Sequence, residues 1–173
     1  LLPGVRFLHF NAEEDLSHIN ENTAAVLLET IQGGAGFILP QDDYLKKVKK
    51  RCEDKGALLL LDEIQPGFGR TGKMFGFEYF GVAPDIVVMG KALGGGLPIG
   101  AFSASKKLMQ KLEDQPKLGH ITTFGGNPVI ATAALTTINE ILSTNLIQQI
   151  EQKEKIFRKN LKHPMIKNIS GKG

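Results

Sequence analysis

Tryptophan is absent from the sequence, tyrosine occurs twice and cysteine once. With aromatics at only 7% of residues, no base-stacking platform for single-stranded nucleic acid is evident. A lone thiol, Cys52, cannot close an intrachain disulfide, and no CxxC or Cys/His spacing offers zinc ligands. A reducing, cytoplasmic compartment fits that cysteine usage best. No apolar run approaches the roughly 20 residues that span a bilayer. The stretch from Leu1 to Phe10, with Pro3, Arg6 and His9, lacks a signal-peptide layout. Charge of one sign is also scarce: 21 basic against 18 acidic residues leave +3, which calls for neither a nucleic-acid nor a membrane partner. Internal repeats and low-complexity tracts are missing. The chain opens Leu1-Leu2-Pro3 without an initiator methionine and closes Ser170-Gly171-Lys172-Gly173. It is read as a piece of a longer protein.

What is present is enough for one domain: 173 residues, 42% hydrophobic and 23% charged, can bury a core. Strand and helix signals alternate, which predicts an α/β fold on a largely parallel sheet. Ala24 to Glu29 reads as a buried strand, after which Gly33, Gly34 and Gly36 break the chain. Asp42 to Lys55 reads as a helix with Tyr44, Val48 and Cys52 on one face, Leu45 beside them, and Gly56 as its stop. Ala57 to Asp62 is a continuous apolar run, as expected of a strand covered on both faces. Asp85 to Met89 and Ile99 to Ala104 are further strands. Asn127-Pro128 combines an N-cap with a first-turn proline, and Ile130, Ala134, Ile138 and Ile141 form the stripe of the helix that follows. A second helix runs from about Asn145 to Leu161, with Ile147 and Ile150 facing in, and His163-Pro164 ends the segment.

Two strands deliver reactive groups at their carboxyl ends. One ends in Asp62, followed by Glu63-Ile64-Gln65, and the next runs Val87-Val88-Met89-Gly90 into Lys91. Ligands of open α/β sheets sit outside the carboxyl ends of the strands, so an acid and a lysine at neighbouring ends face one crevice. A pyridoxal cofactor needs that pair: an amine for its aldehyde, and an acid that keeps its ring nitrogen protonated. The lysine must swing, so a loop flanked by small residues (Gly94, Gly95 and Gly96) suits it. Singly, an Asp after a strand is usually a turn or cap residue and a loop Lys is usually solvated. Two rival motifs fail on their own chemistry. Gly67-Phe68-Gly69-Arg70-Thr71-Gly72 matches a dinucleotide fingerprint formally, but Glu63 to Pro66 separate it from the strand and no clean helix follows. Gly90-Lys91-Ala92 lacks the Ser or Thr that a phosphate-binding P-loop needs.

The words LLLLDEIQPGFGRTG, PDIVVMGKALGGGLPIGA and HITTFGGNPVI, in that order, closely resemble the class III aminotransferases of pyridoxal-phosphate fold type I, nearly from end to end. The group includes ornithine, acetylornithine and 4-aminobutyrate aminotransferases. The resemblance implies a three-layer α/β/α large domain, partial here, over residues 1–163, with 164–173 starting a smaller C-terminal domain. It implies pyridoxal 5'-phosphate held as a Schiff base on Lys91, which then acts as the proton-moving base. Asp62 matches the acid at the pyridine nitrogen, Ile64 the residue packed on the ring, and Gln65 the side chain near the phenolic oxygen. Glu63 lies inside the same cofactor-binding word. Thr123 matches the hydroxyl that reaches the cofactor phosphate across a homodimer interface, and Thr122 a substrate contact. Glu29, in Glu29-Thr30-Ile31-Gln32-Gly33, matches a glutamate on the substrate side, with a structural strand-end role equally open. Arg70 and Thr71 read as structural. The implied reaction moves an amino group from an amine or amino acid to a keto acid, taken as 2-oxoglutarate. An aminomutase or a decarboxylase on the same fold, and a non-catalytic dimerisation piece, remain alternatives.

The chain departs from the family at Thr30, where proline is usual, and at Pro66, where threonine is usual. Both are expected to adjust the backbone only. Gly34 stands where ornithine-type enzymes carry a second glutamate, which weakens an ornithine-type substrate. The family's glycine-rich phosphate loop, its ring-stacking aromatic and its carboxylate-binding arginine have no counterpart in the chain. The fragment is therefore expected to be inactive alone.

Overall fold

The computed structural model describes residues 3–114 and 120–173. Leu1 and Leu2, the start of the stretch read for a leader, lie outside the described residues. Among the described residues, four strands form one sheet in the order β1-β2-β3-β4: β1 (Ala25–Glu29), β2 (Leu58–Asp62), β3 (Ile86–Gly90) and β4 (Gly100–Ala104). The first three run parallel, and β4 returns antiparallel to β3. The expected α/β fold with a mostly parallel sheet is therefore present. The register sets Glu29 beside Asp62 and Asp62 beside Val88, so the carboxyl ends of β1, β2 and β3 lie side by side.

Helix α1 (Tyr44–Lys55) connects β1 to β2. Its buried residues are the stripe read from spacing, Tyr44, Leu45, Val48 and Cys52, and Gly56 closes it in the left-handed conformation. That stripe packs on Leu59 and Leu61, both fully buried, with Val26 and Leu28 alongside. A second cluster joins Phe68, Leu93 and Ala134 with Met89, Ala101, Ile138 and Ile141. It seats helix α3 (Pro128–Ser143) on the end of β3. Side chains alternate across a strand, and the register places Leu61, Val87, Met89 and Ala101 on one face. Both clusters therefore line the same face of the sheet. The other face is only half covered: Leu58 and Leu60 are partly buried, and Leu27 on the neighbouring strand is 64% exposed. The expectation that β2 is covered on both faces is corrected on this point.

Asn127 caps α3 as its sequence predicts, its side-chain oxygen accepting from the amides of Val129 and Ile130 at 3.0 and 3.3 Å. Helix α4 (Leu146–Asn160) ends before His163-Pro164. Ile147 and Ile150 come up against Gly69 and Gly72. Helix α2 (Lys106–Asp114) follows β4. It was not anticipated, although Ser105 ahead of Leu108, Met109 and Leu112 carries its cap and apolar spacing.

Candidate active site

The site is built where β2 and β3 end. Asp62 shares its strand face with Leu58 and Leu60, the face the described helices leave half open. Its carboxylate accepts the Ile64 amide at 2.8 Å, which closes a local turn and fixes the carboxylate's direction. The next side chain, Ile64, lies against the backbone of Gly90, where an added Cβ would meet it at 3.4 Å. The side chain of Gln65 reaches Lys91, whose ammonium donates to the Gln65 carbonyl oxygen. Asp62, Ile64, Gln65 and Lys91 are thus brought to one place by two adjacent strand ends.

Lys91 differs from its expected setting. It opens a short 3-10 turn, Lys91–Gly94, with φ +42°. A lysine in the left-handed region costs on the order of 1–3 kcal/mol and persists only where surrounding structure imposes it. The loop that follows Lys91 packs closely on α3. Gly95 follows with φ +58°, and a Cβ there would lie 2.3 Å from the Thr137 hydroxyl. Only glycine lets the helix approach the loop this closely. In the turn after Lys91, Leu93 and Gly94 are buried, while Lys91, Gly95 and Gly96 are exposed.

Glu29 is half buried at the end of β1, and its carboxylate accepts the Gly33 amide at 2.8 Å. A Cβ on Gly33 would meet both that carboxylate and Gln65, so Glu29 borders the same crevice. Glu63 is placed differently from its neighbours. It is fully buried, and its carboxylate takes the Thr30 hydroxyl, the Gly76 amide at 2.7 Å and the Phe77 amide at 3.0 Å. Burial raises its pKa above the ordinary carboxylate range, and those three donors oppose the shift. Thr30 itself has no exposed surface. The view that Thr30 adjusts only the backbone is corrected: its hydroxyl is spent on Glu63.

Thr122 and Thr123 stand apart. They lie on the exposed segment before α3, and among the described residues no hydrogen bond joins them to Asp62, Gln65 or Lys91. The contact expected of Thr123 would have to come across an interface. Thr71 is buried, and its hydroxyl alone among buried side-chain polar atoms of the described residues has no hydrogen-bond partner. It lines, with Gln65, Ile31 and Phe37, a partly open cavity of about 270 Å³ that residues 170–173 also line.

A wider concavity of about 600 Å³ lies over α1. Its lysines are paired in place, Lys46 with Asp43, Lys47 with Glu13 and Lys50 with Asp54, and Arg51 donates to the carbonyls of Ile19 and Ser17. Among the described residues no cluster of His, Cys, Asp and Glu has the makings of a metal site, and no helix is long and apolar enough to cross a membrane.

Known proteins share this fold. The family model described as Aminotransferase class-III matches residues 8–173. The ornithine aminotransferase of Toxoplasma gondii, in a structure described as showing partial occupancy of PLP at its active site, superposes with a TM-score of 0.91 at 33% identity, over 99% of this chain and 42% of that one. The N-acetylornithine aminotransferase of Stenotrophomonas maltophilia gives 0.83 at 34% identity, over 97% and 44%. The ornithine delta-aminotransferase of Plasmodium falciparum gives 0.88 at 29%, over 100% and 46%. The chain spans less than half the length of each of these solved structures. On the family match and the extent of these similarities, the chain belongs to the class III aminotransferases.

Proposed function

We propose that residues 1–173 are the central part of a pyridoxal-phosphate-dependent aminotransferase, with 1–163 in the large cofactor-binding domain and 164–173 opening the small one. The observation that carries this is the convergence of Lys91 and the Asp62–Gln65 turn on adjacent strand ends, with Lys91 in a strained backbone conformation. The side chains present fit the cofactor. A carboxylate suits a protonated ring nitrogen, an aliphatic side chain suits a ring face, a carboxamide suits a phenolic oxygen, and a primary amine suits an aldehyde.

When bound, pyridoxal phosphate supplies that aldehyde and a pyridinium ring that withdraws electrons from the reacting carbon. Lys91 would hold the cofactor through Nζ, and its free amine would move a proton at the reacting carbons. Asp62 retains the positive charge of the ring by accepting its N–H. Ile64 excludes water from one ring face, and Gln65 orients both Lys91 and the phenolic oxygen. Thr123 serves the phosphate of a second copy in a homodimer, while Thr122 and Glu29 face the substrate. The acceptor is a keto acid, 2-oxoglutarate. With glycine at 34, the donor is not assigned to ornithine despite the neighbours' names.

The intact polypeptide that contains this segment is the material for the test. Loaded with cofactor and mixed with nitrogen-15-labelled L-glutamate, it should release one equivalent of 2-oxoglutarate and keep the label. It should then pass the label to an added keto acid, and Lys91→Ala should do neither. Carbon dioxide release would favour the decarboxylase alternative. Glutamate recovered unchanged would contradict use of the glutamate and 2-oxoglutarate pair.

A further inference from the structure

Glu63 is a fully buried acid next to the site whose carboxylate does not face the other site residues, and among the described residues it makes five hydrogen bonds. Its amide donates to Val88 O at 2.9 Å and its carbonyl accepts the Gly67 amide at 3.0 Å. Its carboxylate takes the Thr30 hydroxyl and the amides of Gly76 and Phe77. Asp62 precedes it, while Ile64 and Gln65 follow. Since side chains alternate along an extended backbone, anchoring Glu63 on the covered face turns Asp62 towards the half-open one. The Gly67 bond closes the turn that carries Gln65. Thr30 is tied to the same point twice, because its amide also donates to Asp62 O at 3.4 Å.

We infer that the buried Thr30–Glu63 pair is a positioning device, which locks the carboxyl end of β1 to that of β2 and so fixes Asp62 and Gln65 relative to Lys91. The inference rests on the cofactor site proposed above. A buried polar network specifies one arrangement when every member is satisfied and loosens when one donor is removed. Without the Thr30 hydroxyl, the Glu63 carboxylate keeps two amide donors in a dry setting. It must then shift or take up a proton, and the 63–67 turn that aims Gln65 relaxes with it. Thr30 and Glu63 touch no reacting atom, so they are positioning residues and not catalytic ones.

The test compares Thr30→Val, which keeps the shape without the hydroxyl, with Thr30→Ser, which keeps the hydroxyl. Each is made in the intact protein and titrated with pyridoxal phosphate, following the absorption spectrum of bound cofactor, its Kd and the melting temperature. Thr30→Val should weaken cofactor binding about tenfold and alter the spectrum, while Thr30→Ser stays within about twofold of wild type. If Thr30→Val does not fold, Glu63→Gln, which keeps size and removes charge, should show the same weakening and spectral change. A lowered melting temperature with unchanged Kd and spectrum would overturn the inference and leave the pair a structural bolt. Wild-type protein that places no cofactor on Lys91 would overturn the site itself, and the inference with it.

Discussion

Replacing Asp62 with Asn is expected to lower turnover by about two to three orders of magnitude while cofactor attachment to Lys91 survives. The argument separates two jobs of one carboxylate. Asp62 accepts the Ile64 amide at 2.8 Å, and the carbonyl oxygen of asparagine can do the same, so the local turn and the melting temperature should hold. What asparagine lacks is the negative charge that keeps a ring nitrogen protonated. That charge matters most when electrons move into the ring, and little when an amine meets an aldehyde. Asp62→Ala should lose the turn as well, adding a loss of stability to the same loss of rate. The check is single-turnover proton abstraction beside borohydride-fixed cofactor per chain. An Asn variant with wild-type turnover would remove Asp62 from the chemistry.

The second large effect concerns the scaffold. Leu59→Ala should destabilise the intact protein by about 2–5 kcal/mol, because Leu59 is fully buried against α1 and the deletion leaves a cavity that packed neighbours fill only in part. Leu60→Ala should cost clearly less, since its face of the strand is only partly covered. Denaturant unfolding of both variants is the measurement. Equal losses would mean that the two faces of β2 are equally packed in the intact protein.

What the sequence made legible was the part written in local pattern. The ALLLLD run gave β2, the Tyr44, Val48 and Cys52 spacing gave the buried face of α1, and Asn127-Pro128 gave the start of α3. Asp62 and Lys91 could be placed at neighbouring strand ends because strand succession in an α/β fold constrains them. What stayed illegible depends on residues far apart in the chain. Thr30 and Glu63 are 33 positions apart, and no spacing rule joins a strand-end threonine to the second acid of a later motif. The only available signal was negative: Thr30 departs from the family's proline, and a hydroxyl at that point gains a donor. The close approach of Thr137 to Gly95 was hidden for a similar reason, since it joins positions more than 40 apart. The half-open face of the sheet is the tertiary counterpart. A continuous apolar run says that a strand can be covered on both sides, not that the described helices cover both.

The central claim is that Lys91 carries the cofactor. Pyridoxal phosphate is added to the intact protein, the adduct is reduced with borohydride, and the labelled peptide is mapped by mass spectrometry, with Lys91→Ala as control. The account predicts one label per chain, on Lys91, lost in the variant. Label scattered over surface lysines, or label that persists in Lys91→Ala, would contradict it.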